Sequence, residues 1–187
     1  MFIQTESTPN PASIKFLPGC EVLGQGSVEF RNAEEAKPSP LAKNLFNVQG
    51  VAAIMLGHDF ITVTKNADAE WPLLKPHVLA VIMDHFTAGF PVMEGEGQES
   101  AHAAHAQEGA DAEIIEQIKE LLDARIRPAV AQDGGDILFH GFDRGIVYLS
   151  MKGACAGCPS STATLKSGIE NMLKHYIPDV LEVRSVL

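Results

Sequence analysis

Apolar positions along the chain follow two rhythms, and their order predicts two successive units of mixed secondary structure. In the first half, Phe2 to Glu6 and Ser13 to Leu17 read as short strands. They are separated by Thr8-Pro9-Asn10-Pro11, a proline pair that enforces a rigid turn. Ser39-Pro40 offers an N-cap followed by proline at the first helical position, with Leu41, Leu45 and Phe46 along one side of a short helix. Val51 to Leu56 and Phe60 to Lys65 flank Gly57-His58-Asp59 and predict a hairpin. Leu74, Val78, Ile82 and Phe86 then recur at every fourth position, which gives a helix one apolar face to lay on the sheet. Trp71-Pro72 reads as the start of that helix and an anchor to the core.

The second half shows a different order. Ile114, Ile115, Ile118, Leu121, Leu122 and Ile126 form a helical stripe, opened by Asp111 as N-cap, bent or ended near Pro128 and stopped by Asp133-Gly134-Gly135-Asp136. Turn chemistry assigns that four-residue run to structure. Ile137 to Phe142 and Ile146 to Met151 flank Asp143-Arg144-Gly145 as a second hairpin. A helix from Pro159 carries Leu165, Ile169, Met172, Leu173 and Tyr176 on one face. Val180 to Leu187 closes the chain as a strand, Leu181 and Val183 alternating with Glu182 and Arg184. The expected class is α+β, two small α+β domains, the second ordered helix, strand, strand, helix, strand.

Composition sharpens the division. Between Gly89 and Ala110 any periodicity gives way to Gly, Glu, Ala and His, and residues 96–112 hold four acidic residues and no Lys or Arg. The pattern predicts a domain over residues 1–88, a flexible acidic linker over 89–110 and a domain over 111–187. His102 and His105 in that linker read as solvated side chains. The whole chain of 187 residues has a formal net charge of -10, opposite to the basic surface expected of a nucleic-acid or anionic-membrane binder. The longest apolar run, Val78 to Met83, is far shorter than the ~18 residues of a membrane span. The opening residues lack the basic and apolar regions of a secretory signal and the arginines of a transit peptide, as expected of a cytosolic chain or a processed mature one. Three cysteines cannot form a closed disulfide framework and fit a reducing compartment.

The chemistry gathers in Lys152-Gly153-Ala154-Cys155-Ala156-Gly157-Cys158-Pro159-Ser160-Ser161-Thr162, between a strand and an amphipathic helix. Two thiols three residues apart at a helix N-terminus are expected to favour the thiolate, the form that binds metal or attacks disulfides. Three readings compete. In a thioredoxin-like site the proline commonly lies between the cysteines, whereas Pro159 follows the second, and the order of elements is not expected to supply a parallel crossover. A closed zinc site needs four ligands, and His140 and His175, the available histidines, lack the usual spacing. An iron-sulfur cluster wants four thiolates, of which one chain supplies two. A two-fold dimer would bring two such loops together and complete the set. Cys20, in the Pro18-Gly19-Cys20 turn, has no ligand neighbour in sequence and reads as an ordinary free cysteine. Lys152 could balance an anionic cluster or stand as an exposed strand-end lysine. Ser160, Ser161 and Thr162 fit first-turn capping better than contact with cluster sulfur.

These residues resemble the Nfu-type, NifU-related iron-sulfur cluster scaffold and carrier proteins. From about Ile114 onward the likeness rests on Arg127-Pro128, Asp133-Gly134-Gly135-Asp136, Gly153 and Cys155-Ala156-Gly157-Cys158-Pro159-Ser160-Ser161. The first half is similar to the Nfu N-terminal domain through Phe2 to Pro11, Lys15-Phe16, Gly57 to Thr64 and Trp71. The resemblance implies a non-enzymatic carrier holding a labile 4Fe-4S cluster between two protomers through Cys155 and Cys158. It also implies an upstream cluster donor and apo iron-sulfur clients, in a bacterial cytoplasm or, if a leader has been removed, in the mitochondrial matrix. The first domain has no obvious ligand set and is assigned by elimination to client or partner recognition. A thiol-disulfide oxidoreductase using the same pair and a zinc-binding interaction module are the alternatives.

Overall fold

The structure, a computed structural model, describes residues 2–94, 111–156 and 159–186, with side chains left undescribed at 159–161. The chain divides into two compact units, Met1–Ser100 and Ala101–Leu187. Both combine helices with a sheet, in keeping with the α+β class.

In the first unit an antiparallel sheet carries the strands in the order β1-β2-β5-β4-β3. These are β1 (Gln4–Ser7), β2 (Ser13–Leu17), β3 (Val28–Phe30), β4 (Val51–Leu56) and β5 (Ile61–Lys65). The pleat sends Ile14 and Phe16 of β2, Ile54 and Leu56 of β4 and Ile61 and Val63 of β5 to one face. There they meet α1 (Pro40–Phe46) and α2 (Trp71–Ala88) through Leu41, Leu45, Leu74, Val78 and Ile82, which together form the core. Ser39 caps α1 as expected, its Oγ accepting from the Ala42 amide at 3.1 Å, and Pro40 occupies the first turn. The hairpin β4-β5 closes with the Gly57 amide donating to the Phe60 carbonyl at 2.9 Å. The Trp71 indole N–H donates to the Pro11 carbonyl at 3.1 Å, so the proline-rich turn is fastened to the start of α2.

Two edges differ from the expectation. Strand β1 begins at Gln4, two residues later than the pattern suggested, and Phe2 is 80% exposed. Its pairing partner Leu17 stands opposite Gln4, so β2 sets the start of β1. The short edge strand β3 went unpredicted because three residues are too few to show an alternation. Residues 89–94, at the start of the predicted linker, are hydrogen-bonded to this unit: Ser39 Oγ donates to the Val92 carbonyl at 2.6 Å and the Glu94 amide to the Pro38 carbonyl at 2.6 Å. The rest of that linker, His102 and His105 included, lies outside the described residues.

The second unit runs α3 (Asp111–Leu121), a π-helical turn over Leu122–Ile126, α4 (Arg127–Gln132), β6 (Gly135–Asp143), β7 (Ile146–Gly153), α5 (Pro159–Tyr176) and β8 (Glu182–Ser185). Asp111 falls inside the first helical turn rather than at the cap. The stripe continues through Pro128 because the wide turn absorbs the missing amide: the Arg127 N–H reaches back five residues to the Leu122 carbonyl. Ile118, Leu122, Ile126 and Val130 thereby stay on one buried line. The β6-β7 turn is the two-residue loop Arg144-Gly145, both residues at positive φ, which matches the right-handed twist of the hairpin.

The closing strand needs two corrections. It covers Glu182–Ser185, and Leu181, expected to alternate inward, is 65% exposed. Leu181 instead lies against the β6-β7 turn, its amide donating to the Gly145 carbonyl at 2.7 Å, while Val180 and Val183 take the buried places. Strand β8 also pairs with β7 in parallel, so β7-α5-β8 is a parallel crossover. The expectation that this order would lack one is overturned, because the helix returns the chain along β7 before β8 begins. No helix among the described residues is long and apolar enough to cross a membrane.

Candidate functional site

Strand β7 ends at Gly153, where a left-handed φ of 65° turns the chain out of the sheet and into Ala154 and Cys155. The Ala154 amide donates to the Gly134 carbonyl at 3.1 Å, so the thiol-bearing loop is hydrogen-bonded onto the turn that leads into β6. At the far end Thr162 Oγ1 donates to the Cys155 carbonyl at 3.0 Å, which ties the loop to the first turn of α5 and is neither a cap on the helix amides nor a contact with sulfur. Cys155 is thus held from both sides and is only 6% exposed.

The turn Asp133-Gly134-Gly135-Asp136 does more than reverse the chain. Gly134 alone takes the positive φ, at 75°. Gly135 is needed for space, since a Cβ there would stand 2.5 Å from Cys155 Sγ and 2.9 Å from the Lys152 carbonyl oxygen, both closer than real Cβ contacts allow. Turn chemistry explained one glycine of the pair, and the second was the unused signal that something approaches the backbone there. Asp136 is held in turn by Arg127, whose Nε lies 3.6 Å from its carboxylate and donates to the Ile137 carbonyl at 3.3 Å. The Arg127 guanidinium also meets Asp123 at 3.1 Å.

Burial pushes the Cys155 thiol up to about 11, and the negative charges of Asp133 and Asp136 push in the same direction. The thiolate expected at a helix N-terminus is therefore not what Cys155 presents: burial and the two carboxylates favour the neutral thiol. Cys158 lies outside the described residues, as does Gly157, and so do the side chains of Ser160 and Ser161. Lys152 stands opposite Asp136 in the β6-β7 ladder.

The other candidates are engaged elsewhere. His140 Nε2 is 2.8 Å from Ser150 Oγ, and His175 stacks edge-on against Tyr176. Among the described residues no group of three or more His, Cys, Asp or Glu is arranged to hold a metal ion. Cys20 is a free cysteine in the first unit.

Comparison with known proteins bears on both units. Residues 3–89 match the family description "Scaffold protein Nfu/NifU N terminal", and residues 118–184 match "NifU-like domain". The chain belongs to the Nfu-type, NifU-related family. This Nfu-type chain is 53% identical to the "NFU1 iron-sulfur cluster scaffold homolog, mitochondrial" of Drosophila sechellia and 54% identical to that of Drosophila ananassae. All of this chain aligns in both cases, covering 65% and 64% of those relatives, so it spans a little under two thirds of their length. A solved NifU-like protein of Saccharomyces cerevisiae shares 31% identity over 51% of this chain and 87% of its own, with a TM-score of 0.46.

Proposed function

We propose that this Nfu-type chain is a scaffold and carrier for a 4Fe-4S cluster, which two copies hold between them through Cys155 and Cys158 of each and pass to apo iron-sulfur proteins. The observation that carries the reading is the Cys155 loop itself. The backbone on both sides of Cys155 is tied down, by the Ala154 amide on Gly134 and by Thr162 on the Cys155 carbonyl, and Gly135 leaves room for the sulfur, so that binding need not order a floppy loop there. The names of the similar Drosophila proteins supply the cargo class. Two thiols per chain fall short of the four a cluster requires, and a two-fold pairing of loops makes up the difference.

The buried neutral thiol has a direct bearing on the chemistry. Iron binds thiolate, so loading must expel the Cys155 proton, and release of the cluster is assisted by its return. A ligand that is reprotonated readily suits cargo that must leave. The same property speaks against Cys155 as the attacking group of a thiol-disulfide site, although β7-α5-β8 does supply a parallel crossover, because a thiol pushed up to about 11 has little thiolate at neutral pH. The chain acts in this reading as a carrier and not as a catalyst. Residues 1–88 serve recognition of clients or partners with 89–94 fastened to them, the rest of the 89–110 stretch connects, and 111–187 hold the cluster. A mitochondrial setting follows the names of the relatives. An upstream donor supplies the cluster.

The test is anaerobic cluster reconstitution on single variants. Cys155→Ser and Cys158→Ser abolish the visible absorption of the bound cluster, and Cys20→Ser leaves it unchanged. A Cys20→Ser variant as damaged as the other two would overturn the assignment.

A further inference from the structure

A groove of about 950 Å³ opens on the first unit, on the flank of α2. Leu73, His77, Val81 and Asp84 line it at helical spacing behind the N-cap residue Glu70, so one face of α2 forms its floor, about 21 Å from Glu70 to Asp84 at ~1.5 Å per residue. The turn over 47–50 and the loop over 66–69 make the facing wall, and the Asn66 amide donating to the Gly50 carbonyl at 2.8 Å fixes the two together. This groove is remote in sequence from the thiol loop and has no part in the site described above.

Its chemistry is one-sided. Asp68 and Glu70 stand at one end and Asp84 at the other, and no Lys or Arg lines it. None of the three carboxylates is in an ion pair among the described residues. Leu73, one helical turn from Glu70, is 73% exposed and presents an apolar side chain to solvent, and His77 and Val81 follow it along the floor towards Asp84. The N-terminal end of α2 would attract an anion, but Pro72 removes one amide and those of Leu73 and Leu74 are spent on the Glu70 carbonyl, at 3.1 and 3.0 Å. The chain's own acidic stretch over 96–112, with no Lys or Arg, is the wrong charge to fill the groove.

We propose that this groove docks a short extended segment of a partner protein that carries Lys or Arg at each end and apolar side chains between them. A span of about 21 Å accommodates roughly six residues of extended chain at ~3.3 Å each. Leu73, next to the Asp68 and Glu70 end, gives affinity by apolar contact, and the two carboxylate ends select against acidic segments and fix the register. The inference deepens the recognition role proposed for residues 1–88 and rests on that reading.

The experiment uses the full chain and a fluorescein-labelled peptide of about seven residues, lysine at both ends and leucine, serine and valine alternating between. Saturable binding followed by anisotropy at physiological ionic strength is expected, with no binding of the same peptide carrying glutamate in place of lysine. Leu73→Ser weakens binding about tenfold. The pair Glu70→Gln and Asp84→Asn weakens it about fivefold. Glu116→Gln with Glu120→Gln, exposed carboxylates of α3 removed in the same number, leaves it unchanged. Equal weakening by the α3 pair would reduce the effect to attraction by net charge and overturn the proposal, as would the absence of saturable binding. A monomer-dimer equilibrium of the peptide-free chain that shifts with Leu73→Ser would make a second copy the occupant, which also overturns it. Cluster reconstitution of the same samples keeps the two ideas apart. A chain that loads a cluster but ignores the peptide loses only the groove, whereas a chain that binds the peptide and never a cluster keeps the groove and loses the scaffold reading.

Discussion

Gly135 and Cys155 stand twenty positions apart, and the space beside Gly135 that a Cβ would fill is taken by the Cys155 sulfur. Replacing Gly135 by Ala forces a Cβ against Sγ, and because the Lys152 carbonyl closes the other side, the sulfur has to move. Gly135→Ala is expected to weaken cluster retention and alter its visible spectrum while the far-ultraviolet circular dichroism stays that of the parent. The titration of Cys155 gives a second expectation. Its folded value lies above that of the unfolded thiol, so on raising the pH the unfolded chain loses its proton first. Stability of the cluster-free chain should therefore hold up to about 9 and fall between about 9 and 11, and Cys155→Ser should flatten the fall. Denaturant midpoints across that range measure it. At this scale the sequence was partly readable. The C-x-x-C pair announced itself, but the thiolate expected from the helix end did not survive burial, and burial is a property of packing that no local pattern carries.

Among the elements, those with a strong rhythm were legible and those defined by their neighbours were not. The β4-β5 and β6-β7 hairpins, α1 with its Ser39 cap, and the stripe of α2 all follow from periodicity and turn residues. Strand β1 begins where β2 offers a partner, β3 is too short to alternate, and β8 is displaced because Leu181 is drawn to the β6-β7 turn. The parallel pairing of β7 and β8 was missed because strand direction is decided by where α5 delivers the chain. The Ser39 side chain joins two elements at once, accepting from Ala42 and donating to Val92, and is fully buried. Ser39→Ala therefore removes a cap and orphans the Val92 carbonyl, a combined loss of about 2 kcal/mol. Thermal unfolding of the variant checks this, and a cost below about 0.5 kcal/mol would show that the 89–94 segment is not fastened there.

For the whole molecule, the arithmetic of ligands is what ties sequence to function. One chain offers the two thiols of a single C-x-x-C pair, a third cysteine in another unit, and no described cluster of other ligands. In the proposed reading the cargo is an iron-sulfur cluster, and the shortage is met by sharing it between two chains. The first unit has its own core and its acidic groove, and the C-x-x-C pair lies in the second. Sedimentation equilibrium of the anaerobically reconstituted chain, combined with iron, sulfide and protein analysis of the same sample, tests the central claim most directly. The expected result is a dimer carrying about four iron and four sulfide per two chains, which dissociates when the cluster is chelated. A cluster stably held by a strict monomer with no external thiol would contradict it.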